Sequence, residues 1–183
     1  MIMKKNVWIA IALVVAVFSF SSCGTQQSAT QPTSKPVTTD TVVSVEPIKD
    51  VISIAEALEM FQNPDKTAAI TKKYGYKLKT NYEVYRLDKF TKMYYKNCAL
   101  AKLLTADKYE DYPKPMHKGV SSYIAFKDGA MIIAVFNQPA YDNLVAQVKA
   151  AGFTLDMPGN EDIYKKGNRT IACYKDGKSV RIE

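Results

Sequence analysis

The chain of 183 residues carries one histidine and three cysteines, and these bound its side-chain chemistry. His117 lies in TADKYEDYPKPMHKG, a polar stretch over 105–119 with two prolines. Nucleophilic hydrolysis needs a nucleophile, a base beside it and a third group that orients the base. No Gly-x-Ser-x-Gly elbow accompanies His117, so an exposed loop histidine is the expectation. Glu110 and Asp111 are hard ligands near it, but adjacent acids in a loop ordinarily face water, and no metal is expected. Paired-carboxylate hydrolysis needs two acids from separate elements. Glu161-Asp162 and Glu110-Asp111 are each neighbours in sequence, and nothing in the sequence joins one pair to the other. The eight glycines are scattered at turns and form no phosphate-binding loop. The chain is therefore expected to be no enzyme and to hold no metal or cofactor. For Cys98 and Cys173 two readings stand: buried free thiols, or a mutual disulfide in an oxidising compartment.

The residues that suggest binding are tyrosines and lysines. Eight of the twelve tyrosines fall between 74 and 118. In a strand after Gly75, alternation puts Lys77 and Lys79 on one face and Tyr76 and Leu78 on the other. In the next strand, Lys92, Tyr94 and Lys96 alternate with Met93 and Tyr95. If the two strands adjoin, Lys77, Lys79, Lys92, Tyr94 and Lys96 are expected to share an outward face. Such a face offers apolar area together with positive charge, suiting acidic proteins, anionic glycans or lipid headgroups. Thr154 and Asp156 stand at the equivalent points of the second half, so the patch is one-sided. The competing reading is solubility, because alternating lysines also keep a sheet face or edge strand solvated.

The elements that position these residues show a weak internal repeat. Asn63-Pro64 opens a helical stretch ending KKYGYKL, and Gln138-Pro139 opens another ending KAAGFTL. Pro suits the first helical turn, and Gly75 and Gly152 suit the left-handed position just past the end. Each glycine is followed by an aromatic residue and, two further on, by Leu78 or Leu155. Residues 84–97 align without gaps onto 163–176, with Tyr85, Thr91, Tyr95 and Lys96 matching Tyr164, Thr170, Tyr174 and Lys175. Phe126-Lys127-Asp128-Gly129 echoes Tyr174-Lys175-Asp176-Gly177, and Tyr95-Lys96-Asn97-Cys98 is a degenerate third copy. Asp-Gly between apolar runs signals a hairpin. Residues 123–127 are thus expected to pair with 130–136, and 170–175 with 178–182. Ser53-Ile54-Ala55-Glu56 fits a capping box that opens an extra helix in the first half.

The N-terminus supplies an address. Lys4 and Lys5 precede an apolar stretch over 7–20, which is short for a permanent membrane span. Phe20-Ser21-Ser22-Cys23 follows. Residues 1–27 resemble a bacterial lipoprotein signal peptide with its lipobox, and the serine-rich form resembles those of Bacteroidetes lipoproteins. Phe20 stands where Leu is commonest. The resemblance implies cleavage before Cys23, which then receives a diacylglycerol thioether and an N-acyl chain. Gly24 follows the cysteine, and residues 25–34 hold no acidic cluster. By the same resemblance, the periplasmic leaflet of the outer membrane is the expected location and the cell surface the alternative.

Residues 23–50 then read as the lipidated cysteine and a Thr/Ser/Gln/Pro-rich tether that cannot bury enough apolar area to order itself. Extended, residues 24–40 reach roughly 55 Å. Val42, Val43 and Val45 are candidates for a short added strand. The net charge of +7 lies almost wholly in the folded region from about Val51. An exported location disfavours nucleic acid as the partner of that basic surface.

The expected fold is α+β: residues 51–183 form tandem duplicated units, about 51–119 and 120–183. Each unit is a helix followed by antiparallel strands, with the helices on one sheet face. In architecture this resembles β-lactamase-inhibitory-protein-like domains and small barrel-assembly lipoproteins. The expected function is an outer-membrane-anchored, non-enzymatic module that binds an envelope protein or peptide. The alternative is a binder of a small anionic or glycan ligand, and a hydrolase ranks below both.

Overall fold

The computed structural model describes residues 44–84, 88–100, 113–116 and 121–183, with 83, 84 and 88 in backbone only. Cys23 and the signal peptide lie outside the described residues, as do Val42, Val43, Glu110, Asp111 and His117. Val45 is described and belongs to no strand.

The first helix, α1 (Ile54–Gln62), starts where the capping box predicts. Ser53 Oγ accepts from Glu56 N at 3.2 Å, and Ser53 N donates to Glu56 Oε2 at 3.4 Å. Pro64 cannot continue the ladder, so the chain passes through a 3-10 turn (Pro64–Lys66) into α2 (Thr67–Lys73). At the end of α2, Lys73 Nζ donates to Glu56 Oε1 at 2.7 Å and the Tyr74 hydroxyl donates to Glu56 Oε2. One carboxylate thereby caps α1 and ties it to the end of α2.

Burial opposes the charge on Glu56, but the bonds from Lys73, Tyr74 and Ser53 outweigh it and hold the carboxyl down at about 2. A lowered native pKa adds stability above the unfolded value, near 4.3, that is lost as pH falls through about 2. Glu56→Gln should therefore cost roughly 1–2 kcal/mol at pH 7, after allowance for screening of a partly exposed pair. Urea melts of the variant and of the unmodified chain should converge as pH approaches 2. An equal gap at both pH values would remove Glu56 from this role.

The strands follow: β1 (Lys77–Val84), β2 (Asp88–Lys96), the short β3 (Cys98–Ala99) and β4 (Lys114–Pro115), β5 (Ser122–Lys127) and β6 (Ala130–Val135). Then come α3 (Gln138–Ala150), β7 (Thr154–Met157), β8 (Glu161–Lys166), β9 (Arg169–Tyr174) and β10 (Ser179–Ile182). Eight strands make one antiparallel sheet in the order β1-β2-β5-β6-β10-β9-β8-β7, and β3 pairs with β4 apart from it. The mixed helix and strand content agrees with the α+β expectation.

The helix ends behave as their glycines predict. Gly75 and Gly152 have φ of 75° and 84°. Tyr76 N donates to Thr71 O and Phe153 N to Val148 O, while Gly75 N reaches Lys72 O and Gly152 N reaches Lys149 O. Both α2 and α3 thus end in the same pair of bonds, which requires a residue free to adopt positive φ. Asn137 caps the other end of α3, its side-chain oxygen accepting from Ala140 N at 2.9 Å.

The Asp128-Gly129 hairpin also forms, with Lys127 opposite Ala130 and φ of 50° and 81° at the two turn residues. The second hairpin differs from the expectation. Tyr174 pairs with Ser179, so Lys175 and Lys178 belong to the turn and not to strands. The positive φ there is at Lys178, 48°, not at Gly177. Gly177 is needed for space: a Cβ on it would lie 2.5 Å from Cδ1 of the Tyr174 ring.

The expected border at 119/120 falls between β2 and β5, which are hydrogen-bonded neighbours. The gap-free alignment of 84–97 onto 163–176 lays the end of β2, the second strand after a helix, on β9, the third. The Asp-Gly echo is the part that follows the strand order, matching β5–β6 to β9–β10.

One large core cluster joins Ile54, Ala57 and Met60 of α1 and Leu144 and Val148 of α3 to sheet residues including Tyr94, Ile124, Ile133, Ile171 and Val180. Burying each such aliphatic side chain contributes about 1.5–3 kcal/mol. Tyr94 pairs with Ile124, Ile124 with Ile133, and Ile133 with Val180, so these four share one sheet face. Met93, Ala125 and Ile132 are paired on the opposite face, and Met93 and Ala125 also form a smaller cluster with Tyr82 and Phe90 from the far end of the β1–β2 pair.

Candidate functional site

The sheet register decides which candidate residues meet. Lys77 is opposite Tyr95 and Lys79 opposite Met93, whereas Lys92 is opposite Thr80 and Phe126 and Lys96 is opposite Ser122. Directly opposed residues point to the same side. Lys77 and Lys79 therefore stand on one face of the sheet, and Lys92, Tyr94 and Lys96 on the other. The expected five-residue outward face does not form. Tyr94 is 7% exposed and packs edge-on against Phe126, with ring centroids 6.2 Å apart. Lys96 Nζ is held by Asp50, at 3.0 Å from Oδ1 and 3.2 Å from the backbone oxygen. Alternation within each strand is read correctly from sequence; the relation between the strands is off by one residue, and such a slip exchanges the faces.

Lys92 has a different setting. It lines a groove of about 580 Å³ between the end of α1, the 3-10 turn and the β5–β6 hairpin. Met60, Phe61 and Phe126 give it an apolar floor, and Pro64 and Thr67 line the wall that the break after α1 creates. Thr91 Oγ1 donates to Phe126 O at 3.1 Å and pins β2 to β5 beside it. Among the described residues, Lys92 has no ion-pair partner and the Thr67 hydroxyl no hydrogen-bond partner. Lys127 and Asp128 stand at the hairpin end. The Arg169 guanidinium lies 5.3 Å from the centroid of the Phe61 ring, and its Nη1 is buried without a hydrogen bond.

A second cavity, about 430 Å³, is lined by Lys49, Asp50, Lys73, Tyr74 and Lys96. Two of its lysines are already neutralised, Lys73 by Glu56 and Lys96 by Asp50. Lys49 has no ion-pair partner among the described residues, so this cavity carries as much uncompensated charge as the groove at Lys92, but it lacks the groove's methionine and phenylalanine lining.

Comparison with protein-family models, with curated proteins and with solved structures returns no match.

The groups that sequence marks for covalent chemistry are placed as follows. Cys98 and Cys173 are both free and buried, so the mutual disulfide is not formed. Burial pushes the Cys98 thiol up to about 11, and its Sγ donates to the Lys96 and Ser122 carbonyls. Burial, with Asp162 nearby, pushes Cys173 up to about 12. A thiol so raised is a poor nucleophile at neutral pH. Glu161 is engaged by Arg181 through two bonds, at 3.0 and 3.2 Å, while alternation turns Asp162 to the other side of β8. Among the described residues, no helix is long and apolar enough to cross a membrane.

Phe61, Thr67 and Phe126 are site residues that the sequence does not single out. Its signals were local, the Asn63-Pro64 break and the Asp-Gly turn. Their proximity depends on the strand order, which places β5 beside β2 and under α1.

Proposed function

We propose that this chain is a lipid-anchored, non-enzymatic binding protein of the cell envelope, and that the groove at Lys92 takes a small anionic ligand. One observation carries the ligand: an unpaired ammonium group stands beside an apolar floor in a cavity of about 580 Å³. That volume lies within the range of small-molecule sites, about 300–1,000 Å³, where an apolar lining with few polar groups is usual. The anchor is the acylated Cys23 implied by the lipoprotein-like N-terminus, with the outer membrane's periplasmic leaflet as the location and the cell surface as the alternative.

The same reading takes the fold as a duplication with its helices on one sheet face, and moves the border to about 136/137. Each unit is then a helix followed by a four-strand meander, β1-β2-β5-β6 and β7-β8-β9-β10. The mirrored strand order, joined at β6 and β10, supports this. So do the identical helix ends at Gly75 and Gly152.

A second reading, a protein or peptide partner, is favoured by the sheet edges. β1 and β7 are the outer strands, and Leu78, Leu155 and Met157 are 51%, 50% and 60% exposed. An edge with unpaired backbone groups and apolar side chains accepts an added strand.

A photoreactive phenylalanine analogue at Phe61, which lines the groove and leaves Lys92 in place, with one at Thr154 as control, separates the readings in living cells. The expected result is an adduct of small mass specific to position 61. A dominant protein adduct would transfer the assignment to the second reading. No adduct at either position, from a chain that is present and folded, would overturn the groove as a binding site.

A further inference from the structure

The geometry points to an amphipathic carboxylate, an alkyl or aryl chain of small-molecule size ending in one carboxyl group, as the ligand of the groove at Lys92. The inference rests on the small-ligand reading and names its chemical class.

The floor selects for an apolar body. Met60, Phe61 and Phe126 line the groove, and covering them stabilises a complex by roughly 25 cal/mol per Å² of apolar area removed from water. An inorganic ion or a fully polar sugar would leave that area wet.

The polar groups select for a small monoanionic head. Among the described side chains that line the groove, the Lys92 ammonium and the Thr67 hydroxyl have no partner, and a carboxylate presents two acceptor oxygens. A charge-assisted bond from an ammonium is among the stronger hydrogen bonds available in water. A phosphate dianion asks for more donors than the groove supplies.

The charge balance agrees. Lys92 and Lys127 face Asp128 around the groove, leaving one net positive charge among the lining residues. Arg169 adds a cation against the Phe61 ring. This field favours one negative charge and discriminates against a ligand cation. Asp128 is the competing group, so its removal should strengthen binding where removal of Lys92 weakens it.

The test is calorimetric titration of the full lipidated chain in nanodiscs with 4-phenylbutyrate, with empty nanodiscs subtracted. 4-Phenylbutylamine and inorganic phosphate serve as comparison ligands. The acid should bind at least about tenfold more tightly than the amine, and Lys92→Met should weaken it about tenfold. Asp128→Asn should tighten it about two- to threefold. Lys92 and Asp128 are exposed, so both variants should melt with the unmodified chain. Thr67→Val, which keeps the shape of a buried side chain, should weaken binding about threefold. Equal binding of acid and amine would overturn the assignment, as would tighter binding of phosphate or an unchanged affinity in Lys92→Met. If phenylbutyrate fails while the probe at position 61 still captures a small molecule, the ligand class is wrong and the small-ligand reading stands. If both fail, the reading itself falls.

Discussion

Cys23→Ala should abolish acyl labelling of the chain and leave residues 1–22 attached to it. A lipoprotein-like signal implies an order of steps. On the lipoprotein reading, the Cys23 thiol would be the strong soft nucleophile at the bilayer surface, and its thioether would form before cleavage. Serine or alanine at that position provides no thiolate, so the later step loses its substrate. The energetics set the size of the effect. Each buried methylene contributes about 0.8 kcal/mol, and a single myristoyl chain binds a membrane only marginally, whereas two or more chains anchor stably. Losing all of them is therefore an all-or-none change in outer-membrane retention, far larger than any surface substitution in the folded region. Among the described residues no helix is long and apolar enough to cross a membrane. The measurement is incorporation of a clickable palmitate analogue, read with the intact mass of the chain. Undiminished labelling of the alanine variant, or cleavage at an unrelated site, would make Cys23 incidental and reduce residues 1–22 to an ordinary export signal.

What the sequence made legible was local. Ser53 with Glu56, Gly75 and Gly152, and Asp128-Gly129 each announced a cap or turn whose geometry depends on a few neighbouring residues, and each appears in its place. The faces within one strand were legible too, because alternation follows from the pleat. The relation between strands was not. β1 and β2 are joined through residues 85–87, and their register depends on where that connection begins and ends, which alternating lysines do not specify. Tyr94 and Lys77 each alternate correctly, yet a one-residue difference in register sends them to opposite faces. The groove was still less legible. Met60 and Phe126 are brought together only because β5 pairs with β2 across a long intervening stretch. The same holds for the expected repeat: its gap-free alignment lays β2 on β9, because a second strand and a third strand after a helix carry similar residues.

The register also makes Tyr94 and the pair Lys77 and Lys79 behave oppositely on mutation, and the contrast tests the sheet directly. Tyr94→Ala removes a ring that is 7% exposed, lies in the main core cluster and meets Phe126 edge-on. Large-to-small changes of buried aromatic residues cost about 3–5 kcal/mol, because the lost transfer energy adds to that of the cavity left behind. The midpoint of thermal unfolding should fall by roughly 10 °C for a domain of this size. Tyr94→Phe keeps the ring and should stay within about 1 kcal/mol of the unmodified chain. Lys77→Ala and Lys79→Ala remove exposed side chains from an edge strand and should each change stability by no more than about 0.5 kcal/mol. Calorimetric melts of the four variants decide the matter. If Tyr94→Ala melts with the unmodified chain, Tyr94 is a surface residue and the strand is turned the other way. That outcome would return Lys92 to the solvent face beside Lys77 and Lys79, and would dissolve the groove on which the ligand assignment stands.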